Sequence, residues 1–368
     1  MRAVYLHGFG LVSSLGANLS EALKSLAAGG KEPQRLNLPG GTDWPCYSIE
    51  HSEKDWVRRA KQLIYNAVVE AGLKPEHAQD RNVPLFIASS SLDIGAIESG
   101  SSHLSDGFGF AQDVAEWLNW SSEVYLFSSA CTSSLQAMLA ASSLIGSGNV
   151  EEVVVLGIEL SNRFSISGFA SMQLLSSGKP KPLGAERDGI ALGEAVAVMH
   201  LSCQPARWRM CGGSNIVDGR DPTGAVPETV ARICEQALAV SGLTPSDIGL
   251  IKLQAAGSPA NDAKELAGMA KVFEVMPPLV SLKSSIGHTL GASGVAEIAL
   301  LTACLENGVW PQTNYVYDVE LGYELSSIKP VAPRYILADI LGFGGGHVAV
   351  ILEDANVQRG INNNGMYP

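Results

Sequence analysis

The stretch Val124-Tyr-Leu-Phe-Ser-Ser-Ala-Cys131-Thr-Ser-Ser-Leu-Gln-Ala-Met-Leu-Ala-Ala-Ser-Ser-Leu-Ile145 decides how the chain is read. Val124 to Phe127 is a short apolar run of the kind that forms a buried strand. Small residues follow, ending at Cys131. Leu135, Met138, Leu139 and Ile145 then recur at helical spacing, and Gly146 and Gly148 offer stops. Cys131 is therefore expected on a sharp strand-to-helix turn at a helix N-terminus. Free backbone N–H groups and the helix dipole there favour an anion, which predicts a lowered thiol pKa and an available thiolate. The stretch alone also allows a buried structural cysteine ahead of an ordinary core helix.

Working outward, strand-like and helix-like segments alternate twice. Residues 3–7 read as a strand, Gly8 to Gly16 as a turn-rich loop and Leu19 to Leu26 as a helix. A polar connection over 30–55 leads to a helix at Trp56 to Val69, with Leu63, Ile64, Ala67 and Val68 inward and Arg58, Arg59 and Lys61 outward. Val83 to Ala88 is a strand and 89–110 a Ser/Gly-rich loop. Phe110 to Leu118 is a helix, Glu152 to Gly157 a buried strand, 160–190 an irregular insertion and Ala195 to Leu201 a strand. The second half repeats the grammar: strands at Arg207 to Gly212, Ile248 to Leu253 and Leu279 to Leu282, and helices at Val226 to Val240, Asp262 to Phe273 and Ala292 to Leu305. A closing hairpin is expected over Ile336 to Leu341 and Val348 to Leu352. This predicts an α/β chain with mostly parallel, buried sheets. It divides into halves 1–203 and 204–355, followed by a loose tail over 356–368.

Composition narrows the class. Of 368 residues 46% are apolar and 17% charged, a folded and core-rich chain. The net charge of −12 argues against general nucleic-acid binding. Six cysteines, with no CxxC pair, suggest neither a disulfide framework nor a zinc site, so a reducing cytoplasm is the expected compartment and no metal is expected. His7 and nearby glycines interrupt the N-terminal apolar run, which reads as a strand and not a signal peptide, and no run is long enough to span a membrane.

Three further stretches could bear chemistry. Ser281-Leu-Lys283-Ser-Ser-Ile-Gly-His288 places a histidine in a glycine-rich loop near a lysine, where an imidazole can donate to a carbonyl or take up a proton; a structural histidine is the alternative. Arg187-Asp-Gly-Ile-Ala-Leu-Gly-Glu194 puts an acid at the mouth of a strand, or is a surface turn. Gly342-Phe-Gly-Gly-Gly346 could free backbone N–H groups for an oxyanion, or be a plain hairpin turn.

Together with Gly8-Phe-Gly-Leu-Val-Ser-Ser-Leu-Gly16, these motifs, in this order, resemble the thiolase superfamily and within it the β-ketoacyl-[acyl carrier protein] synthases. The resemblance covers nearly the whole chain. It implies a thiolase-like fold, with duplicated βαβαβαββ halves in a five-layer αβαβα arrangement. It also implies that Cys131 takes an acyl group from an acyl carrier protein as a thioester. The N–H groups of Cys131 and Phe343 would form an oxyanion hole. His288 would stabilise the enolate left when a malonyl thioester loses CO2. Lys283 would orient that site together with Glu194, and Phe343 would gate malonyl entry. No cofactor is implied, since acyl groups arrive on the carrier's phosphopantetheine.

The family usually has a second histidine after the strand equivalent to Ile248–Leu253. Aligning Gln254-Ala-Ala256-Gly257-Ser258 to that motif puts Ala256 at its place and leaves the loop two residues short before Asn261-Asp262. His347 stands where the family has Asn, with its side chain expected to point away from Cys131, and the chain is short around 89–115. A degenerate site resembles the chain-length factors that pair with an active ketosynthase, including those of aryl-polyene-type pathways. The expected role is thus a chain-length-factor-like subunit of a ketosynthase heterodimer. The alternative is a stand-alone condensing acyltransferase, as a homodimer, using Cys131 and His288.

Overall fold

A computed structural model describes residues 2–38, 40–75, 82–101 and 106–357. The first half runs β1 (Val4–Ser13), α1 (Leu19–Ala27), β2 (Gln34–Asn37), β3 (Asp43–Tyr47), α2 (Trp56–Glu70), β4 (Leu85–Ala88), α3 (Ile94–Ser99), α4 (Gly107–Trp117), β5 (Val124–Phe127), α5 (Ser133–Gly146), β6 (Glu152–Glu159), α6 (Arg163–Ser171), β7 (Leu192–Gly193) and β8 (Ala195–Ser202). The second runs β9 (Trp208–Val217), α7 (Pro227–Ser241), β10 (Ile248–Lys252), α8 (Pro259–Val272), β11 (Leu279–Val280), α9 (Lys283–Ile286), α10 (Ser293–Asn307), β12 (Tyr335–Leu341) and β13 (Gly346–Asp354).

Ten strands form a continuous sheet in the order β11-β10-β12-β13-β9-β1-β8-β6-β4-β5. Outward from the centre, both halves follow one rule, with their first, fifth, fourth, second and third strands in turn. The halves meet where Val4 to Leu6 pairs with Trp208 to Met210. In each half the three outer strands are parallel, and the two inner ones are added antiparallel. The sheet is therefore mixed and not mostly parallel. The closing hairpin of β12 and β13 forms as read.

Alternate residues of the central strands enter different cores, as a pleated strand requires. Val153 and Val155 of β6 pack in a middle core with α5 and α10, whereas Val154, Leu156 and Ile158 face α2 and α4. Val348, Val350 and Leu352 of β13 enter the same middle core, and Ala349 and Ile351 face α7 and α8. The result is five layers: outer helices, half-sheet, the α5/α10 layer, half-sheet, outer helices. These strands are buried on both faces, which is why they read as continuous apolar runs.

Several boundaries differ from the sequence reading. The polar 30–55 stretch contains β2 and β3, which form a small sheet with β7. The 89–110 loop contains α3, and the 160–190 insertion contains α6. β5 is not a buried strand but the last strand of the sheet, with Tyr125 half exposed. Arg59 is not outward but turned inward against a buried acid. The expected loose tail lies, beyond Val357, outside the described residues.

β1 continues through the expected Gly8–Gly16 loop as far as Ser13. Its glycines serve close packing: a Cβ on Gly8 would fall 2.1 Å from the Ala71 carbonyl oxygen, and one on Gly10 would fall 1.9 Å from that of Ala67. Helix α2 thus lies directly on the β1 backbone. Gly10→Ala is expected to destabilise the protein by about 2–3 kcal/mol through this overlap, read as a lower urea midpoint at unchanged slope; a midpoint equal to the native one would mean that α2 can lift off β1 freely.

Candidate active site

Cys131 sits at the turn between β5 and α5. Ala130 holds a left-handed φ of 51°, strained for a residue with a Cβ. The strain is held in place by local bonds: the Ser133 hydroxyl donates to the Ala130 carbonyl at 2.6 Å and accepts the Ser129 N–H at 2.9 Å, and the Thr132 hydroxyl donates to the Ser129 carbonyl at 2.7 Å. The hydroxyl residues after Cys131 thus hold the backbone of the small residues before it. Thr132, Ser133 and Ser134 are wholly buried.

Cys131 lines a small cavity of about 50 Å³ whose walls include Phe169, Gln254, Ala256, His288 and Phe343. Its thiol is not acidic, contrary to the sequence expectation: burial pushes it up to about 11. The N–H groups of Phe343 and of Cys131 itself bear on the sulfur and, with the Lys283 charge, favour the thiolate, but they do not outweigh desolvation. The Phe343 ring stacks on Phe169 of α6, with centroids 5.3 Å apart. The glycine loop thus presents a backbone donor to Cys131 and an aromatic ring to the cavity.

His288 is buried in the loop between α9 and α10. Its Nδ1 accepts the Leu290 N–H at 3.2 Å and lies 3.0 Å from the Ser293 hydroxyl. Burial, then the charges of Lys283 and Lys252, hold its pKa well below the ordinary value, so the ring is neutral. Its Nε2 faces the side-chain amide of Gln254 at 3.3 Å.

Lys283 and Glu194, expected to act together, each have another partner. Lys283 does not pair with Glu194; its ammonium pairs with Glu297 of α10. Glu297 also pairs with Lys252 of β10 at 2.7 Å, and Lys252 donates to the Asp339 carbonyl at 2.7 Å. Burial pushes the Glu297 carboxyl up, but the two lysines outweigh it and hold the group below its usual range. Glu194 instead accepts a two-pronged bond from Arg59 at 2.9 and 2.7 Å, together with the Ile49 and Ser161 N–H groups. It lies outside the walls of the Cys131 cavity. It ties α2, β3 and the β6–α6 connection together.

Ala256 lines the cavity, but the side chain that meets His288 is Gln254. Closing the two-residue gap before Asn261-Asp262 moves the aligned position from Ala256 to Gln254, so the signal was present in the loop length. The Gln254–Ser258 loop is held from below by acids. Glu265 accepts the Gln254 and Ala255 N–H groups at 2.6 and 2.8 Å, and Asp262 accepts those of Ala256, Gly257 and Ser258. Burial and the neighbouring Asp339 push Glu265 far up, and burial raises Asp339 to about 6. Lys252, Glu265 and Asp339 were not singled out from the sequence, where they look like members of an ordinary strand or helix. His347 is buried on β13 and is not part of the cavity wall. Among the described residues no group of His, Cys, Asp and Glu could hold a metal ion, and no helix is long and apolar enough to cross a membrane.

Comparisons with known proteins bear on the family and the fold. Residues 51–204 match the model of the β-ketoacyl synthase N-terminal domain, and 213–316 that of the C-terminal domain. The 3-oxoacyl-[acyl-carrier-protein] synthase 2 of Mycobacterium leprae is 29% identical over 248 residues, which are 60% of this chain and 58% of that protein. The chain thus spans under two thirds of this relative's length. Among solved structures, the ketosynthase ApeO in complex with its chain length factor ApeC from Xenorhabdus doucetiae superposes with a TM-score of 0.84 at 24% identity, covering 96% of this chain and 98% of that one. The ishigamide ketosynthase/chain length factor gives 0.80 at 22% identity, covering 96% and 99%.

Two outcomes follow from the electrostatics. Alkylation of Cys131 by iodoacetamide, followed by peptide mass, is expected to accelerate about tenfold per pH unit across roughly pH 7.5 to 9.5; a rate already level at neutral pH would mean a stabilised thiolate. Arg59→Ala leaves Glu194 buried alone and is expected to destabilise the fold by about 3–5 kcal/mol at neutral pH. Because Arg59 holds the Glu194 carboxyl below 4.5, the native pair is worth most above that pH and is lost on acidification. In the variant the carboxyl pKa rises instead, so the deficit in urea denaturation should shrink between neutral pH and about pH 5; a pH-independent deficit would contradict this.

Proposed function

Since the chain belongs to the β-ketoacyl synthase family, we propose that it is an acyl-transferring subunit of fatty acid or polyketide biosynthesis, loaded on Cys131. The observation that carries this reading is the convergence of the Phe343 and Cys131 N–H groups on the Cys131 sulfur, inside a cavity shared with His288. Those donors are placed for the oxyanion formed when the sulfur attacks a thioester carbonyl. The step balances simply: the carbonyl–sulfur bond to the carrier breaks, a thioester to Cys131 forms, and the thiol proton passes to the departing pantetheine thiol. A neutral, buried thiol and a neutral imidazole suit a site whose charge develops only during reaction. His288 and Lys283 then serve the enolate of a malonyl-class thioester, and Phe343, stacked on Phe169, gates its entry.

The partner is a second ketosynthase-type subunit, the same or a different chain. β5 ends the sheet with one edge unpaired, and exposed Tyr125 and Phe108 lie beside it. The chain-length-factor-like role rested on a lost histidine. Gln254 restores a polar group opposite His288 and moves the balance towards a chain that is itself acylated. Incubation with an acyl-loaded carrier protein, alone and with candidate partner subunits, is expected to add the acyl mass to the Cys131 peptide and to leave Cys131→Ala unmodified. Absence of the adduct in every combination would leave only the accessory role.

A further inference from the structure

Lys252 is a buried cation that the acyl-transfer reading does not use. It ends β10, two residues before Gln254, and is 1% exposed. Its ammonium donates to the Asp339 carbonyl at 2.7 Å and stands 2.7 Å from Glu297 Oε2. That oxygen has no aligned hydrogen-bond partner, so the contact between Lys252 and Glu297 is one of charge. The other oxygen, Oε1, meets the Lys283 ammonium. One carboxylate therefore carries two buried lysines, one at each oxygen.

This group stands on the His288 side of α10. Ser293, whose hydroxyl lies 3.0 Å from His288 Nδ1, is one turn before Glu297 on the same helix face. The other ionisable groups nearby are Cys131 before α5, Glu265 of α8, Asp339 of β12 and Glu159 of β6, which accepts the Gly291 N–H at 2.9 Å. Burial pushes Cys131 to about 11, Asp339 to about 6, and Glu159 and Glu265 upward. Of these carboxyls Glu297 alone is held below its usual range, by the two lysines. Two ammonium groups thus share the one carboxylate that is firmly ionised, and positive charge prevails around the ring. Lys283 bears on Cys131 and His288 alike, and Lys252 bears on His288.

We propose that Lys252 is a further positioning residue of the decarboxylating step: by sharing Glu297 with Lys283 it adds a second ammonium charge behind His288, which keeps the imidazole neutral and favours the negative oxygen that forms beside it. This rests on the acyl-transfer reading above and deepens it. In the step concerned, the bond between the substrate's α-carbon and its carboxylate breaks and CO2 leaves. The electron pair passes to the thioester carbonyl, whose oxygen becomes the enolate oxygen. The enolate carbon then attacks the Cys131 thioester, the carbon–sulfur bond breaks, and the released thiolate takes a proton from water. Lys252 exchanges no proton in this sequence; its charge is fixed before the substrate enters, so it costs no reorganisation when the enolate forms.

Lys252→Met keeps the length of the side chain and removes the charge, and Glu297 retains Lys283. Lys252→Arg keeps the charge. Asp339→Asn keeps the shape and takes a carboxyl away from the Lys252 side of the network. For native protein and each variant, with any partner that supports loading, two rates are measured near neutral pH: acyl transfer to Cys131, and CO2 release from a malonyl-loaded carrier protein. The ratio of CO2 release to loading is expected to fall about tenfold or more in Lys252→Met, in kcat and not in the KM for the carrier. Lys252→Arg should stay within about threefold of native, and Asp339→Asn at the native ratio or above it. A Lys252→Met ratio within about threefold of native, or a Lys252→Arg ratio that falls as far as that of Lys252→Met, would overturn the inference. So would a loss of about tenfold in Asp339→Asn, which decides the matter where Lys252→Met does not fold. Nitrogen-15 spectra of the native imidazole should show a neutral ring at about pH 6, below the ordinary histidine value; a doubly protonated ring there also overturns it. Native protein that loads Cys131 but releases no CO2 overturns this inference and leaves acyl transfer standing; protein that never loads overturns both.

Discussion

The α5 and α10 helices touch because Gly294 has no side chain: a Cβ there would lie 2.5 Å from Leu135 Cγ. The contact is sealed by Ser134, whose hydroxyl accepts the Gly294 and Val295 N–H groups at 2.9 and 3.3 Å. A buried side chain of one helix thereby caps the other. Everything reactive hangs from this crossing. Cys131 precedes α5, and His288 precedes α10, so the contact that builds the middle layer also brings the two into one cavity. The wholly buried residues around it leave no slack for either terminus to wander.

Around that crossing the interior holds an unusual number of charges, and they are arranged to cancel. Lys252 and Lys283 are both buried, and both meet Glu297. Glu265 and Asp339 lie beside them with both carboxyls pushed up by burial, and the Asp339 carbonyl is bonded to Lys252. Two lysines and three carboxyl groups therefore sit within one connected network. Isolated burial of any one would be very unfavourable, so the network binds β10, β12, α8, α9 and α10 into a unit that tolerates loss of none of its members.

How much of this was legible depended on whether a feature is local. The Cys131 turn was readable because strand, small residues and helix follow one another directly. The alternation of β6 and β13 was readable because strands buried on both faces show as apolar runs. The partners of Lys283 and Glu194 were not, because Glu297 and Arg59 belong to other elements and look like ordinary helix residues. β2 was missed because its sequence is polar and exposed, and β3 because a proline sits inside a run with no clear alternation. The thiol was misjudged because the sequence shows a helix N-terminus but not the depth of burial, and desolvation outweighs the dipole. Gln254 was passed over because the alignment admitted a gap; counting without it reaches the residue that the structure sets against His288.

The same electrostatics explain why an amide suits position 254. Lys252 and Lys283 act on His288 with the same sign as burial, driving it towards the neutral form. Any imidazole placed beside it would feel the same two charges and would be held in its neutral form. An amide is neutral at every pH, so it forfeits nothing in that environment, and its oxygen and nitrogen allow it to accept from one neighbour while donating to another. A neutral histidine can also accept at one nitrogen and donate from the other, but it stays neutral only while its surroundings suppress its protonation. Beside two buried lysines, a group that is neutral at every pH is the better fit.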